Sequence, residues 1–222
     1  MAQNKIVSAD RIVCLVGGAP LETSTLDLIS AFVDRYIAVD AGADHLLRAG
    51  IQPAVVVGDL DSLSRHARAT FADVLCHISE QSTTDFEKAL SRVAAPAIIA
   101  VGFTGGRIDH ALAVLNVMAR YSQQRVFLLD QDDVSFVAAQ GQTYLDLPSG
   151  CRISMMPLGE ASVSASGVVW PFSDQLMTPT GFISSSNAAA GGPITIDVDG
   201  PLLITLPQAH LEDALQAGAR AE

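Results

Sequence analysis

The chain has 222 residues and carries 13 basic against 24 acidic residues, a formal net charge of −11. A surface this acidic repels a phosphate backbone, which disfavours a general role in binding nucleic acid or an anionic membrane. Hydrophobic residues make up 49% of the chain, enough to bury the core of one large domain or two modest ones. Lys5 and Lys88 are the only lysines. If the protein is an enzyme that binds anionic phosphates, it must therefore rely on arginine, backbone N–H groups and bound cations.

Targeting signals and cysteine usage indicate the compartment. The N-terminal segment lacks the basic stretch and long apolar run of a signal peptide, and no apolar run reaches the length of a membrane span. Cys14, Cys76 and Cys151 are far apart and form no zinc-type cluster, as expected of free thiols in a reducing compartment. We therefore expect a soluble, cytoplasmic protein.

Short β-branched runs alternate with helical patterns through residues 1–140. The runs are apolar on both faces, which is typical of a parallel sheet covered by helices. This alternation predicts an open, mostly parallel α/β sheet with right-handed crossovers. Gly50 is a predicted helix stop, and Thr84 with Glu87 forms a predicted capping box. The predicted strands are Ile12–Val16, Tyr36–Val39, Ala54–Val57, Val74–Ile78, Ala97–Phe103 and Arg125–Leu129, and the predicted helices are Ser24–Asp34, Ala43–Ala49, Ser64–Ala72, Asp85–Val93 and Ile108–Tyr121.

The sequence pattern changes beyond about residue 139. Short runs separated by Gly, Pro, Ser and Asp predict a small all-β sandwich, followed by an amphipathic helix at the extreme C-terminus. We therefore predict an α/β domain over residues 1–140 and a β-sandwich domain over residues 141–222. The predicted strands of the second domain are Thr143–Leu147, Cys151–Met156, Ala161–Ser166, Ile194–Val198 and Leu202–Leu206, whereas Ser184–Gly192 is predicted to be a polar loop.

Acidic residues follow the predicted parallel strands at their carboxyl ends. They are Asp40, Asp59, Asp61, Asp85 and Asp109. In a parallel sheet these ends share one edge, where open α/β folds bind their ligands. Crowded carboxylates repel one another unless a cation lies between them, and Mg²⁺ prefers oxygen ligands and neutralises phosphate oxygens in phosphoryl transfer. The sequence therefore predicts a magnesium-dependent enzyme of nucleotide phosphate transfer.

A purely structural role is the competing interpretation of each aspartate. Asp is strongly preferred at helix N-caps and in turns, and Asp85 and Asp109 both fit such positions. The pair Asp59 and Asp61 fits less well, because two acids two residues apart lie on one side of an extended segment. The metal prediction therefore depends mainly on this pair.

A glycine-rich turn follows the strand Ala97–Phe103 and ends at Arg107. Its glycines allow backbone N–H groups and the next helix to face an anion, and the arginine adds a fork of donors suited to phosphate. The turn matches neither the dinucleotide fingerprint nor the P-loop. His110 is either a site residue or a histidine on a helix face, and Trp170, the only tryptophan, either lies in the core or stacks on a ligand ring.

In chain order, four motifs resemble the thiamine pyrophosphokinase family: Asp40-Ala-Gly-Ala-Asp-His-Leu-Leu, Gly58-Asp-Leu-Asp-Ser, Thr84-Asp-Phe-Glu-Lys-Ala-Leu and Gly105-Gly-Arg-Ile-Asp-His. The segment Gly167-Val-Val-Trp-Pro-Phe, followed by Ser185-Ser-Asn, is similar to the thiamine-contacting region of that family. The resemblance covers about residues 12–206. It implies a homodimer with sites at the subunit interface, and transfer of pyrophosphate from ATP to thiamine to give thiamine diphosphate and AMP.

The same resemblance implies a role for each matching residue. Catalysis and Mg²⁺ binding would belong to Asp59, Asp61 and Asp85. ATP would be contacted by Asp40, Thr84, Gly105, Gly106, Arg107, Asp109 and His110, and thiamine by Trp170, Ser185, Ser186 and Asn187. The C-terminal domain would contribute to thiamine binding and dimerisation.

The chain also departs from the family pattern. Gln81-Ser82 replaces the usual Lys-Asp, so that a positive charge is missing, and Gly167-Val-Val replaces the more usual Gly-Leu-Lys. Two alternatives therefore stay open. The first is a pyrophosphokinase for another heterocyclic alcohol, and the second is a catalytically silent thiamine-binding protein, which the missing lysine would favour.

Overall fold

The computed structural model describes residues 5–217. The chain forms two compact units that divide between Val117 and Met118, inside a helix. This division precedes the boundary predicted after residue 140. The reason lies in strand pairing, because Val126–Leu129 pairs with Asp133–Val137, which in turn pairs with the C-terminal strand Leu202–Pro207. Residues 118–140 therefore pack with the second unit.

Over its described residues 5–117, the first unit contains seven strands, four α-helices and the start of a fifth. Its strands are β1 (Val7–Ser8), β2 (Val13–Val16), β3 (Arg35–Val39), β4 (Val55–Gly58), β5 (Leu75–His77), β6 (Val93–Ala94) and β7 (Ile98–Val101), and its helices are α1 (Thr23–Ile29), α2 (Gly42–Ala49), α3 (Arg65–Thr70), α4 (Asp85–Leu90) and α5 (Ile108–Arg120). The strands pair in parallel in the order β7-β2-β3-β4-β5, and β1 pairs with β6 separately. The predicted parallel sheet is thus confirmed.

The central strands of this sheet are buried along their whole length. Every residue of β2, β4 and β7 is buried, as the two-sided apolar pattern predicts. Val16 is paired with both Ala38 and Val101, and Val39 is paired with Val57. The strands consequently end in register, and the residues that follow them share one edge of the sheet.

Local signals fix several helix ends in this unit. Gly50 ends α2 in the left-handed conformation at φ 68°, and the Thr84 hydroxyl accepts a 3.2 Å hydrogen bond from the Glu87 N–H at the start of α4. The helix stop at Gly50 and the Thr84 cap of the predicted capping box are confirmed. The helix α4 ends three residues earlier than predicted, because Val93 leaves the helix and pairs with Val7 in β1.

The second unit is built of antiparallel strands. They are β8 (Val126–Leu129), β9 (Asp133–Val137), β10 (Gly141–Leu147), β11 (Arg152–Pro157), β12 (Ala161–Ser166), β13 (Phe172–Met177), β14 (Ser184–Ala188), β15 (Gly192–Asp199) and β16 (Leu202–Pro207), followed by the helix α6 (Leu211–Ala217). The strands pair in the orders β14-β11-β16-β9-β8 and β10-β15-β12-β13. Antiparallel β structure and a C-terminal helix are both as predicted.

The prediction of a polar loop over Ser184–Gly192 is wrong. Residues Ser184–Ala188 form the strand β14, which pairs with β11 through Asn187 opposite Ile153 and Ala188 opposite Arg152. The segment carries small polar side chains, so its sequence contains little of the apolar alternation that identifies a strand. Pairing with β11 holds the segment in the strand conformation instead. The strands β9 and β13 were also absent from the prediction.

Within residues 5–217, the helices are too short or too polar to cross a lipid bilayer.

Candidate active site

Three carboxylates meet where β3 and β4 end. Asp40 directly follows β3, and Asp59 and Asp61 follow β4. One carboxylate oxygen from each lies within 4.8 Å of the others. A hard cation that takes oxygen ligands fits such a group, because it offsets the repulsion among the three charges. We call Asp40, Asp59, Asp61 and the neighbouring Asp85 the acidic edge.

The backbone of the acidic edge is held in an unusual conformation. Asp40 has φ 47° and Leu60 has φ 64°, in the left-handed region that costs a non-glycine residue on the order of 1–3 kcal/mol. Packing offsets this cost at Leu60, whose side chain is 3% exposed and whose carbonyl accepts a hydrogen bond from the Arg68 guanidinium of α3. The turn at Leu60 brings Asp59 and Asp61 into the same group. Arg68 had no role in the sequence-based prediction.

Hydrogen bonds orient the pair that follows β4. Asp59 accepts the Asp61 N–H at 3.3 Å and the side-chain amide of Gln81 at 3.3 Å, and Asp61 accepts the Ser62 hydroxyl at 2.8 Å. The Gln81 amide, followed by the Asp61 N–H, lowers the pKa of Asp59 below its ordinary value. Asp59 is thereby kept as an anion that can bind a cation.

The pKa of Asp40 is shifted in the opposite direction from that of Asp59. Burial raises the pKa of its carboxyl above the ordinary value; the Ala41 N–H opposes this rise, while the charges of Asp85 and Asp59 add to it. Within residues 5–217 its Oδ1 is buried and has no hydrogen-bond partner. An unpaired buried oxygen beside two other carboxylates is a costly arrangement that a bound cation would satisfy. The residues therefore fit a divalent metal ion.

Asp85 is bound to a lysine. It begins α4, and its Oδ1 accepts a 2.8 Å hydrogen bond from Nζ of Lys88, which also lies 4.0 Å from Oδ2 of Asp59. The Lys88 side chain is only 2% exposed. The predicted metal set contained Asp85, whereas the group of carboxylates within 4.8 Å contains Asp40 in its place. Lys88 belongs to the motif Thr84-Asp-Phe-Glu-Lys-Ala-Leu, which by itself predicts no function for it.

A cavity of about 610 Å³ opens beside the acidic edge. The predicted site residues that line it are Asp40, Asp59, Asp61, Thr84, Asp85, Gly106, Arg107 and His110. Among the described residues, Gly105 and Asp109 do not contribute to this lining. His110 is exposed at the cavity wall on α5. The cavity is thus bounded by carboxylates on one side and by the glycine-rich turn with Arg107 on another.

The loop after β2 forms a further wall that the sequence analysis missed. Gly17 and Gly18 line the cavity, and the Gly17 N–H donates to the Val101 carbonyl at 2.8 Å. A Cβ on Gly17 would lie 2.5 Å from the carbonyl oxygen of Gly102, which itself has φ 72°. Only glycine allows these two loops to approach so closely. The available signal was a glycine pair directly after an apolar strand.

Arg107 and Asp109 form a two-pronged ion pair. Nε of Arg107 lies 3.1 Å from Oδ1 of Asp109, and Nη2 lies 2.6 Å from Oδ2. The pair raises the pKa of Arg107 and lowers the pKa of Asp109, and both side chains are largely exposed. Arg107 lines the cavity, and its two contacts with Asp109, which is outside the lining, favour one orientation of the guanidinium.

The residues predicted to contact thiamine lie in the second unit. Trp170 is 62% exposed, so that it is no core residue, and Ser185 and Ser186 are exposed as well. Asn187 is 2% exposed, and its side-chain amide accepts the Trp170 N–H at 3.2 Å and donates to the Trp170 carbonyl at 2.9 Å. Asn187 therefore fixes the backbone that presents Trp170.

Comparison with known proteins decides the family. Residues 28–128 match the model of the thiamin pyrophosphokinase catalytic domain, and residues 142–203 match the model of the thiamin pyrophosphokinase vitamin B1 binding domain. The chain belongs to the thiamin pyrophosphokinase family. The two matches together span well over half of the chain and agree with the resemblance found in the motifs.

Individual relatives extend this finding. Thiamine pyrophosphokinase 2 of Arabidopsis thaliana is 28% identical over 212 residues, covering 87% of this chain and 76% of the relative. The thiamine pyrophosphokinase of Bacillus subtilis is also 28% identical, covering 66% of this chain and 73% of the relative. Among solved structures, the thiamin pyrophosphokinase of Geobacillus thermodenitrificans superposes with a TM-score of 0.74 at 24% identity, covering 88% of this chain and 96% of that one. The Candida albicans thiamin pyrophosphokinase gives 0.77 at 16% identity, covering 93% and 94%. At these identities the structures establish a shared fold.

Replacing the buried carboxylate of Asp40 tests the electrostatics of the acidic edge. In metal-free buffer at neutral pH we expect Asp40→Asn to raise the melting temperature by roughly 2–4 °C, the shift that about 1 kcal/mol gives a chain of this length. Because the pKa of Asp40 is raised in the folded state, ionising it destabilises the fold above that pKa. The gain should vanish as the pH falls below about 3.9, the ordinary pKa of Asp. Thermal denaturation from pH 7 to pH 3 measures it, and an equal gain at both ends would contradict the assignment.

Truncating Asn187 tests how Trp170 is presented. We expect Asn187→Ala to destabilise the protein by about 1–3 kcal/mol, because the Trp170 N–H and carbonyl lose their buried partner. Urea unfolding followed by the fluorescence of Trp170, the only tryptophan, measures the change. The exposed Ser185→Ala is the matched control and should stay within about 0.5 kcal/mol of the parent. An unchanged urea midpoint in Asn187→Ala would rule out this role.

Proposed function

We propose that this chain transfers the pyrophosphoryl group of ATP to the hydroxyethyl oxygen of thiamine, giving thiamine diphosphate and AMP. The observation that carries the proposal is the group of three carboxylates within 4.8 Å at a cavity of about 610 Å³, inside the part of the chain that matches the catalytic-domain model. The match of residues 142–203 to the vitamin B1 binding domain supports thiamine as the acceptor.

The acidic edge is proposed to bind Mg²⁺. Asp59 and Asp61 would be ligands, with Asp40 as the third carboxylate and Asp85 beside them as a further catalytic residue. When bound, the ion neutralises charge on the phosphate oxygens. The unpaired buried oxygen of Asp40 and the anionic Asp59 support a cation at this position.

The remaining walls of the cavity are proposed to hold ATP. Arg107 would donate to phosphate oxygens through its planar fork, which Asp109 keeps in orientation. Thr84, Gly105, Gly106 and His110 would complete the nucleotide contacts. Phosphoryl transfer places little covalent demand on the protein, so that positioning and charge are what these residues would contribute.

The second unit is proposed to supply the acceptor site and the dimer contact. Trp170 would stack on a thiamine ring, with Ser185 and Ser186 as polar contacts and Asn187 holding the Trp170 backbone. Exposed apolar side chains of the same unit, namely Val169, Leu176, Phe182 and Ile183, support a homodimer interface. For the functional domains we propose a catalytic domain over residues 1–140, of which residues 118–140 pack with the second compact unit, and a β-sandwich domain over residues 141–222. We further propose a cytoplasmic homodimer without nucleic-acid or membrane partners.

The substitution of Gln81 for the usual lysine gives little support to a catalytically silent protein. Gln81 donates to Asp59 at 3.3 Å, and Nζ of Lys88 lies 4.0 Å from the same carboxylate. A neutral donor and a buried cation thus both act on Asp59. The acidic edge retains a positive charge despite the missing lysine.

Removing one metal-binding carboxylate tests the proposed chemistry. We expect Asp61→Asn to lower AMP and thiamine diphosphate formation at least about 100-fold, since electrostatic stabilisation supplies much of the rate in phosphoryl transfer. Chromatographic separation of the products, with circular dichroism to check the fold, measures the loss. The exposed Asp73→Asn is the control and should retain parental turnover. Full turnover by Asp61→Asn would refute the metal assignment.

A second experiment addresses the acceptor. We expect Trp170→Ala to raise KM for thiamine by roughly 10-fold or more while KM for ATP stays unchanged, because stacking on an aromatic side chain is worth about 1–3 kcal/mol. Trp170→Phe keeps an aromatic ring, so its KM for thiamine should lie between that of the parent and that of Trp170→Ala. Competition of thiamine with pterin and pyrimidine alcohols in the same assay separates thiamine from other heterocyclic alcohols. A pterin or pyrimidine alcohol used in preference to thiamine would replace the proposed substrate.

A further inference from the structure

Lys88 is a charged residue in an unusual place. It is one of two lysines in the chain and its side chain is 2% exposed. A lysine is almost never fully buried without a partner, because removing its charge from water is costly. Its Nζ lies 2.8 Å from Asp85 Oδ1 and 4.0 Å from Asp59 Oδ2, so that the buried charge lies directly against the acidic edge.

The helix α4 fixes the position of this ammonium group. The Lys88 N–H donates to the Thr84 carbonyl at 2.8 Å, and the Lys88 carbonyl accepts from the Arg92 guanidinium at 2.9 Å. The neighbouring Ala89 and Leu90 are fully buried. Lys88 is therefore anchored at its backbone within the core, and its side chain extends from there to the carboxylates.

The contacts of Asp85 differ from those of the other three carboxylates. Asp40, Asp59 and Asp61 have oxygens within 4.8 Å of one another, and Asp85 is outside that group of described residues. It forms an ion pair with Lys88, at a hydrogen-bond distance of 2.8 Å. Within the acidic edge, Asp85 is thus paired with Lys88, and the other three carboxylates form a separate group.

We propose that Lys88 is a positioning residue for the metal site. Its ammonium binds Asp85 and attracts Asp59, which sets the net charge of the acidic edge and leaves Asp40, Asp59 and Asp61 to take the divalent ion. Lys88 touches no reacting group in this role and acts through the two carboxylates. The inference rests on the proposed function only in taking the ion to be Mg²⁺.

This role predicts that removing the Lys88 charge raises metal affinity, whereas damage to the structure would lower it. Removing the positive charge while keeping an apolar chain, as in Lys88→Met, makes the acidic edge more negative. Mn²⁺ affinity, measured by electron paramagnetic resonance without substrates, should then rise by up to roughly 30-fold, the effect on a divalent ion of a unit charge about 4 Å away in a medium that screens like water. General loss of structure would lower that affinity, and an unchanged or lower affinity in the folded variant would overturn the proposal.

Two further variants complete the test. Lys5→Met removes the only other lysine, so its Mn²⁺ affinity should match that of the parent. The double variant Lys88→Met/Asp85→Asn removes both members of the pair and restores the net charge, so its Mn²⁺ affinity should return to within about twofold of the parent. A large loss in the double variant would show that Asp85 is itself a ligand and would overturn the proposal, and this arm decides the matter if Lys88→Met alone does not fold.

The metal measurements are independent of the substrate. Because they use Mn²⁺ alone, a failure of the parent protein to convert thiamine would refute the proposed function without affecting the assignment of Lys88. Conversely, parental turnover of thiamine with unchanged metal affinity in Lys88→Met would refute the positioning role alone.

Discussion

Repulsion among carboxylates is the constraint on which the rest of the first unit depends. The parallel sheet ends its strands in register, and the chain places an aspartate after β3 and two after β4, so that three negative charges lie within 4.8 Å. Such a group is unstable unless positive charge and hydrogen-bond donors surround it. The left-handed turn at Leu60, the Gln81 amide and the buried Lys88 all act on this group. A divalent cation would complete the charge balance.

In both units, an exposed residue that we propose as a ligand contact is bound by a neighbouring polar side chain. In the first unit, Asp109 fixes the guanidinium of Arg107 through two hydrogen bonds. In the second, the buried amide of Asn187 binds the backbone on both sides of the exposed Trp170. If these residues bind ligands as proposed, orienting the Arg107 guanidinium and the Trp170 backbone beforehand lowers the entropy lost on binding.

Much of the first unit follows from sequence pattern. Two-sided apolar runs identify the strands, Gly50 and Thr84 identify helix ends, and chain order then places the aspartates at one edge. The second unit was less predictable. The small polar residues of β14 give it the sequence pattern of a loop. It is a strand because it pairs with β11, which is distant in sequence. The same cause moves the compact division ahead of residue 140, because β9 pairs with β16.

The sequence by itself determined which residues follow the strands, and hence that Asp40, Asp59 and Asp61 would share an edge, because strand period and chain order are local properties. Only the tertiary structure decided which carboxylates form one group and which is tied to a cation. Lys88 follows Asp85 by three residues on the same helix, a spacing that already allows their ion pair, but the burial of Lys88 and the 4.0 Å from its Nζ to Oδ2 of Asp59 come from packing. Distances between side chains of different elements depend on packing, and no pattern along the chain encodes them.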